Sequence, residues 1–148
     1  MENIQAIIMA GGNDNKVKSK KSKLLQKIYG KTIIMRVAES VIKAGIKDIT
    51  VVVGENEEEI KQELHDIVKY VKQQGEGTAS AILSCKEIID TQKQVLVLNA
   101  NIPLIQSKTI NEFIERAKEN DLTILTALLN ENAGYGRILR NNNKIEKI

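Results

Sequence analysis

The run Ile7-Ile8-Met9-Ala10-Gly11-Gly12 carries an apolar strand into a pair of glycines, and lysines then crowd the segment from Lys16 to Lys31. Strand, glycine turn and helix in that order present backbone N–H groups to an anion, and glycine suits the turn because backbone must approach the ligand closely. Lysine side chains in the same loop, Lys16 and Lys23 among them, add mobile positive charge. The chemistry this suits is the holding of phosphate. Two familiar phosphate loops are excluded: the segment is too long and lacks the Gly-Lys-Ser/Thr ending of a P-loop, and it lacks the G-x-G-x-x-G spacing of a dinucleotide fingerprint. Aromatic residues make up 3% of the chain, too few to interleave with the lysines as base-stacking platforms, so nucleic acid is not the expected partner.

The elements that must position such a loop follow from periodicity. Near-continuous apolar runs predict strands at Ile4–Met9, Asp48–Val53, Ile67–Val71, Gln94–Asn99 and Leu122–Leu129. Between them, Ile34, Val37, Ala38 and Val41 recur at helical spacing, with Gly45 as the stop. An acidic helix from Glu57 to Leu64 has Ile60 and Leu64 as its apolar edge, and Ser107 reads as the N-cap of a helix burying Ile110, Phe113, Ile114 and Ala117. A further helical stripe takes in Ala79, Ile82, Cys85 and Ile89. Strands apolar on both faces belong to parallel sheets covered by helices. The expected fold is therefore a Rossmann-like three-layer α/β/α sandwich, its ligand at the carboxyl ends of the strands. The tail, Arg137 to Arg140 and Lys144 to Ile148 around three asparagines, predicts a hairpin. The chain stops on that hairpin's second strand, so the expectation is one domain over residues 1–148, incomplete at its carboxyl terminus. Cys85 is the single cysteine and reads as a buried structural thiol, and His65 as a solvated surface residue. With no leader-like start and no apolar run approaching a membrane span, no membrane is expected and the cytoplasm is the expected compartment.

Four separated segments resemble the sugar-1-phosphate nucleotidyltransferases, in particular the uridylyltransferase domain of the bifunctional N-acetylglucosamine-1-phosphate uridylyltransferases. The first loop, with Lys23 and then Gly30-Lys31, parallels a family loop reading Leu-Ala-Ala-Gly-x-Gly-Thr-Arg-Met, Pro-Lys-x-Leu and Gly-Lys-Pro. Gln73-Gln74-Gly75-Glu76-Gly77-Thr78-Ala79 parallels Gln-Leu-Gly-Thr-Gly-His-Ala. Leu96 to Leu104, through Asn99-Ala100-Asn101, parallels a strand ending Tyr-Gly-Asp-x-Pro-Leu. Gly134-Tyr135-Gly136-Arg137-Ile138 is identical to the family's Gly-Tyr-Gly-Arg-Ile.

This resemblance implies a nucleoside triphosphate or UDP-sugar as ligand, Mg²⁺ as cofactor, and transfer of a uridylyl group from UTP to N-acetylglucosamine 1-phosphate. It implies nucleotide contacts at Ile8, Met9, Ala10, Gly11, Gly12, Lys23, Gly75, Glu76, Asn99 and Ala100, and a sugar-nucleotide contact at Gly136. Tyr70 falls where the family reads uracil with a glutamine. Lys23 matches the phosphate-binding lysine, with Ser22 in place of proline, and Lys16 is the nearest cation to the missing arginine, without its bidentate fork. Asn101 stands at the metal-binding aspartate and offers an oxygen without a charge. Two readings follow. One is a transferase, with Lys23 and Lys16 as its catalytic cations. The other is a nucleotide-binding relative with little turnover and a regulatory or partner-binding role, its site completed by a second copy or a partner chain.

Overall fold

The computed structural model describes residues 3–12, 22–129, 136–141 and 144–147. Two compact units are resolved by contact, Met1–Glu115 and Arg116–Ile148, and each is described by itself.

In the first unit, strand β1 (Ile4–Ala10) is followed by a short hairpin, β2 (Lys27–Ile28) and β3 (Lys31–Thr32), and by helix α1 (Ile33–Lys43). Then come β4 (Asp48–Val53), α2 (Glu57–Leu64), β5 (Lys69–Lys72), α3 (Gly77–Leu83), β6 (Gln94–Asn99) and α4 (Ser107–Ala117). Four strands form a parallel sheet in the order β5-β4-β1-β6, the three-layer arrangement expected from the apolar runs. Pleating divides β1 between two cores. Ile4, Ala6, Ile8 and Ala10 face α1, α2 and α4, where Ile34, Val37, Val41, Ile60, Leu64, Ile110 and Ile114 close over them. Ile7 faces the other way, against Val52, Ala81 and Cys85. Val95 and Val97 of β6 stay 37% exposed.

Local chemistry explains the boundaries. Thr32 caps α1 by accepting from the Met35 N–H at 3.3 Å, and its hydroxyl donates to Glu63 at 2.9 Å, tying α1 to α2. Gly45, at φ +88°, ends α1 as predicted. Four expectations move. Strand β5 begins at Lys69, because a 3-10 turn takes His65–Ile67. Ser107 is the first helical residue of α4 rather than its cap, since the Ile110 N–H already bonds the Gln106 carbonyl at 3.1 Å. The stripe through Cys85 runs over Ala81 and Ile89, while Ala79 is exposed, because α3 ends at Leu83 and turns carry the chain onward. Residues 122–129 form no strand: a ladder needs a neighbour, and no described strand pairs with them, leaving Leu122 and Leu125 exposed.

The second unit carries the expected carboxyl-terminal hairpin, β7 (Leu139–Asn141) antiparallel to β8 (Lys144–Lys147), with Arg140 opposite Ile145 and a register irregularity at Leu139/Arg140. No helix among the described residues is long and apolar enough to cross a membrane.

Candidate functional site

Strand β1 is where the sheet's winding reverses: β4 and β5 extend to one side of it, and β6 lies on the other. At such a reversal the loops leaving adjacent strands part in opposite directions, and a crevice opens beyond their carboxyl ends. A cleft of about 290 Å³ sits there, lined by Met9, Ala10, Gly11 and Gly12 from β1 and its turn, and by Asn99 and Asn101 from β6. Gln73, Gly77, Thr78 and Ala81 close it on one side, Lys23 and Leu24 on another. Lys23 opens a 3-10 turn, Lys23–Leu25, held at both flanks: Ser22 and Leu24 are buried, and the Ser22 hydroxyl accepts from the Leu24 N–H at 3.3 Å. The Ser22 φ of −49° is close to the value a proline ring imposes, so the backbone at this position is one a proline would also adopt.

The floor of the cleft depends on close backbone contact. A Cβ on Gly54, just beyond β4, would lie 2.6 Å from the Gly11 carbonyl oxygen, nearer than any real side chain comes. A Cβ on Gly11 would run into the Gln73 amide oxygen. Gln73 is itself fixed: its backbone N–H bonds the Val53 carbonyl at 2.8 Å, and its side-chain amide donates to the carbonyls of Gly75 at 3.0 Å and Gly77 at 3.2 Å. Gly11, Gly54 and Gln73 thus form one interlocked layer at the carboxyl ends of β1, β4 and β5.

Met9, Ala10, Gly11, Gly12, Lys23, Asn99 and Asn101, all expected from the sequence, line this one cleft. Ile8 and Ala100 lie beneath it as buried core, the Ala100 N–H bonding the Met9 carbonyl at 3.0 Å to join the ends of β6 and β1. Gly75, at φ +84°, and Glu76 form the approach to Gly77 without joining the wall. Tyr70 is not brought to the cleft. Its ring packs against the larger core, its hydroxyl donates to the His65 carbonyl at 2.6 Å, and the Lys61 ammonium lies 5.8 Å from its ring centre. The residue that does reach the wall from this segment is Gln73, three positions on. It belongs to the Gln-Gln-Gly-Glu-Gly-Thr run visible in the sequence, as does Thr78, whereas Leu24 and Ala81 gave no signal beyond being apolar. Lys16 lies outside the described residues, and Gly136 belongs to the second unit.

The donor set decides how a divalent cation would fare. Among the described lining residues none is Asp or Glu; Lys23 is the charged side chain among them, and Asn99 and Asn101 offer neutral amide oxygens. Among the described residues no three His, Cys, Asp or Glu side chains group to hold a metal ion. Mg²⁺ is a hard cation that takes carboxylate oxygens, so this wall does not fit it.

Residues 6–139 match the family model for the MobA-like NTP transferase domain. The bifunctional protein GlmU of Acetivibrio thermocellus is 41% identical over 144 residues, which is 95% of this chain and 31% of that protein. GlmU of Clostridium beijerinckii is 37% identical over 97% of this chain and 32% of its own length. The chain thus spans about a third of the length of these curated relatives. Two solved structures share the fold at 21% identity: a 4-diphosphocytidyl-2C-methyl-D-erythritol synthase from Anaerococcus prevotii and a nucleotidyl transferase from Methanothermobacter. The first superposes with a TM-score of 0.65 over 80% of this chain and 52% of that one, the second with 0.66 over 76% and 56%.

Proposed function

This chain belongs to the MobA-like NTP transferase family, and we propose that its cleft holds the phosphates of a uridine nucleotide for transfer to a sugar 1-phosphate. One observation carries the reading: Gly11-Gly12, Lys23 and the Asn99–Asn101 segment meet in a single crevice at the winding reversal of the sheet. In the reaction, an oxygen of N-acetylglucosamine 1-phosphate attacks the α-phosphorus of UTP in line. The bond from that phosphorus to the bridging oxygen breaks, and pyrophosphate leaves with the electron pair. Such chemistry asks a protein for position and charge rather than covalent help. The glycine turn lets phosphate approach backbone, and the Lys23 ammonium neutralises the oxygens that gain charge as pyrophosphate departs.

Asn101 favours a second reading, a relative that binds the nucleotide and turns it over little, in a regulatory or partner-dependent role. Calorimetry with UTP and UDP-N-acetylglucosamine, beside a pyrophosphate-release assay, separates the two. Both readings expect binding, weakened on Lys23→Ala by on the order of 1–3 kcal/mol, the value of a charge-assisted hydrogen bond. Pyrophosphate release supports the transferase, and binding without release supports the second reading. Equal affinity of wild type and Lys23→Ala would overturn the phosphate assignment that both share.

A further inference from the structure

We propose that the cleft takes its nucleotide as the metal-free polyanion, so that magnesium adds nothing to binding and competes with the protein for the phosphates. This rests on the nucleotide reading above and departs from it in the ligand's ionic form. The wall presents an ammonium at Lys23, glycine backbone at Gly11 and Gly12, and side-chain amides at Asn99 and Asn101, the Gln73 amide N–H groups being taken by the Gly75 and Gly77 carbonyls. An asparagine amide can turn its N–H groups to a phosphate oxygen as readily as its oxygen to a cation, and the Lys23 ammonium and the glycine backbone also suit an anion. A Mg²⁺ carried in on the phosphates would meet neutral oxygens where a carboxylate would offset its charge, and it would share the cleft with the like-charged Lys23.

The molecule does use carboxylates beside cations, but among residues that do not line the cleft, as at the amino edge of the sheet. Asp48 and Asp90 flank Lys93 there, with Asp48 also bound to Lys69. Magnesium also lowers the net charge of the nucleotide, which weakens its attraction to Lys23. A ligand form that binds less well is disfavoured in proportion, so apparent affinity falls as magnesium converts the free nucleotide to its complex.

The test is calorimetry of the full chain with UTP, in EDTA and in excess MgCl₂, at matched ionic strength. Affinity in magnesium equal to or below that in EDTA is the expected result. Tighter binding in magnesium overturns the inference while leaving the nucleotide reading intact. Absence of binding in both media overturns the nucleotide reading and this inference with it. Asn101→Asp, at an exposed position, supplies the missing charge. Its expected signature is reversal: weaker UTP binding than wild type in EDTA, and binding in magnesium tighter than in EDTA. A variant with wild-type affinity in both media would show that position 101 does not face the phosphates, and would overturn the assignment.

Discussion

At the amino ends of the strands, Asp48 accepts hydrogen bonds from Lys69 at 2.9 Å and Lys93 at 3.0 Å, and Gln5 of β1 bridges to the loop before β6. The cleft at the carboxyl ends of those strands is lined, among the described residues, by glycines and amides, with Lys23 as the charged side chain. Both ends must stop a parallel sheet from fraying, and they do it with different means. The amino edge uses complementary charges and a buried amide: Gln5 donates to the Ile88 carbonyl at 3.0 Å and accepts from the Asp90 N–H at 3.2 Å. Beside the cleft, the carboxyl edge uses close backbone packing, Gly54 on Gly11, with the Gln73 amide donating to the Gly75 and Gly77 carbonyls. An edge closed by ion pairs has satisfied its own electrostatics. One closed by glycine contact needs no ion pair at that point, and Lys23 lines the cleft beside it.

The sharpest way to break this contrast is Gly54→Ala. The new methyl meets backbone, which cannot swing aside, so we expect a loss of about 2–3 kcal/mol in urea unfolding. The cleft should be disturbed with it, and unchanged stability would show that the glycine contact does not hold that edge. At the opposite edge, Gln5→Met keeps the volume and removes both hydrogen bonds. Leaving the Ile88 carbonyl and Asp90 N–H without this partner should cost about 1–2 kcal/mol, with nucleotide affinity untouched. The smallest effect is electrostatic. Burial pushes the Asp48 carboxyl up, but hydrogen bonds and charge from Lys69 and Lys93 outweigh it and hold the group below its ordinary value. A carboxyl depressed in the folded state contributes stability above its unfolded pKa and loses it as pH falls through the folded one. Asp48→Asn should therefore flatten the acid limb of a stability–pH profile below about pH 4, by about 0.5 kcal/mol after solvent screening. A profile identical to wild type would remove charge pairing from the account of the amino edge.

The carboxyl edge was the more legible of the two. The glycine turn and its lysines pointed to phosphate, and the resemblance to the nucleotidyltransferase segments assigned Gly11, Gly12, Lys23 and Asn101 to one site before any geometry was known. What sequence could not give was facing. Tyr70 and Gln73 lie in the same short segment, yet only the pleat and the end of β5 decide that Gln73 reaches the cleft while Tyr70 turns into the core. Gln5 was illegible for a related reason: a lone amide in an apolar run gives no hint of partners 83 and 85 positions away. Residues 122–129 show the limit from the other side. Their Thr, Ile and Leu content suits a strand as well as that of β6 does, but propensity cannot supply the neighbour a ladder needs.

The position of β1 at the centre of the sheet bears on how the chain is made. It pairs with β4 on one side and with β6 on the other, where Ile4 meets Gln94. Emerging from the ribosome before β4 and β6, β1 can acquire β4 while synthesis continues, but its second edge of hydrogen bonds waits until β6 has been translated. Through that interval an apolar strand stands with one edge open, the condition in which nascent chains pair wrongly or recruit chaperones. The spacing of β1 and β6 along the chain, more than the strength of any contact in the finished fold, sets when the core can close.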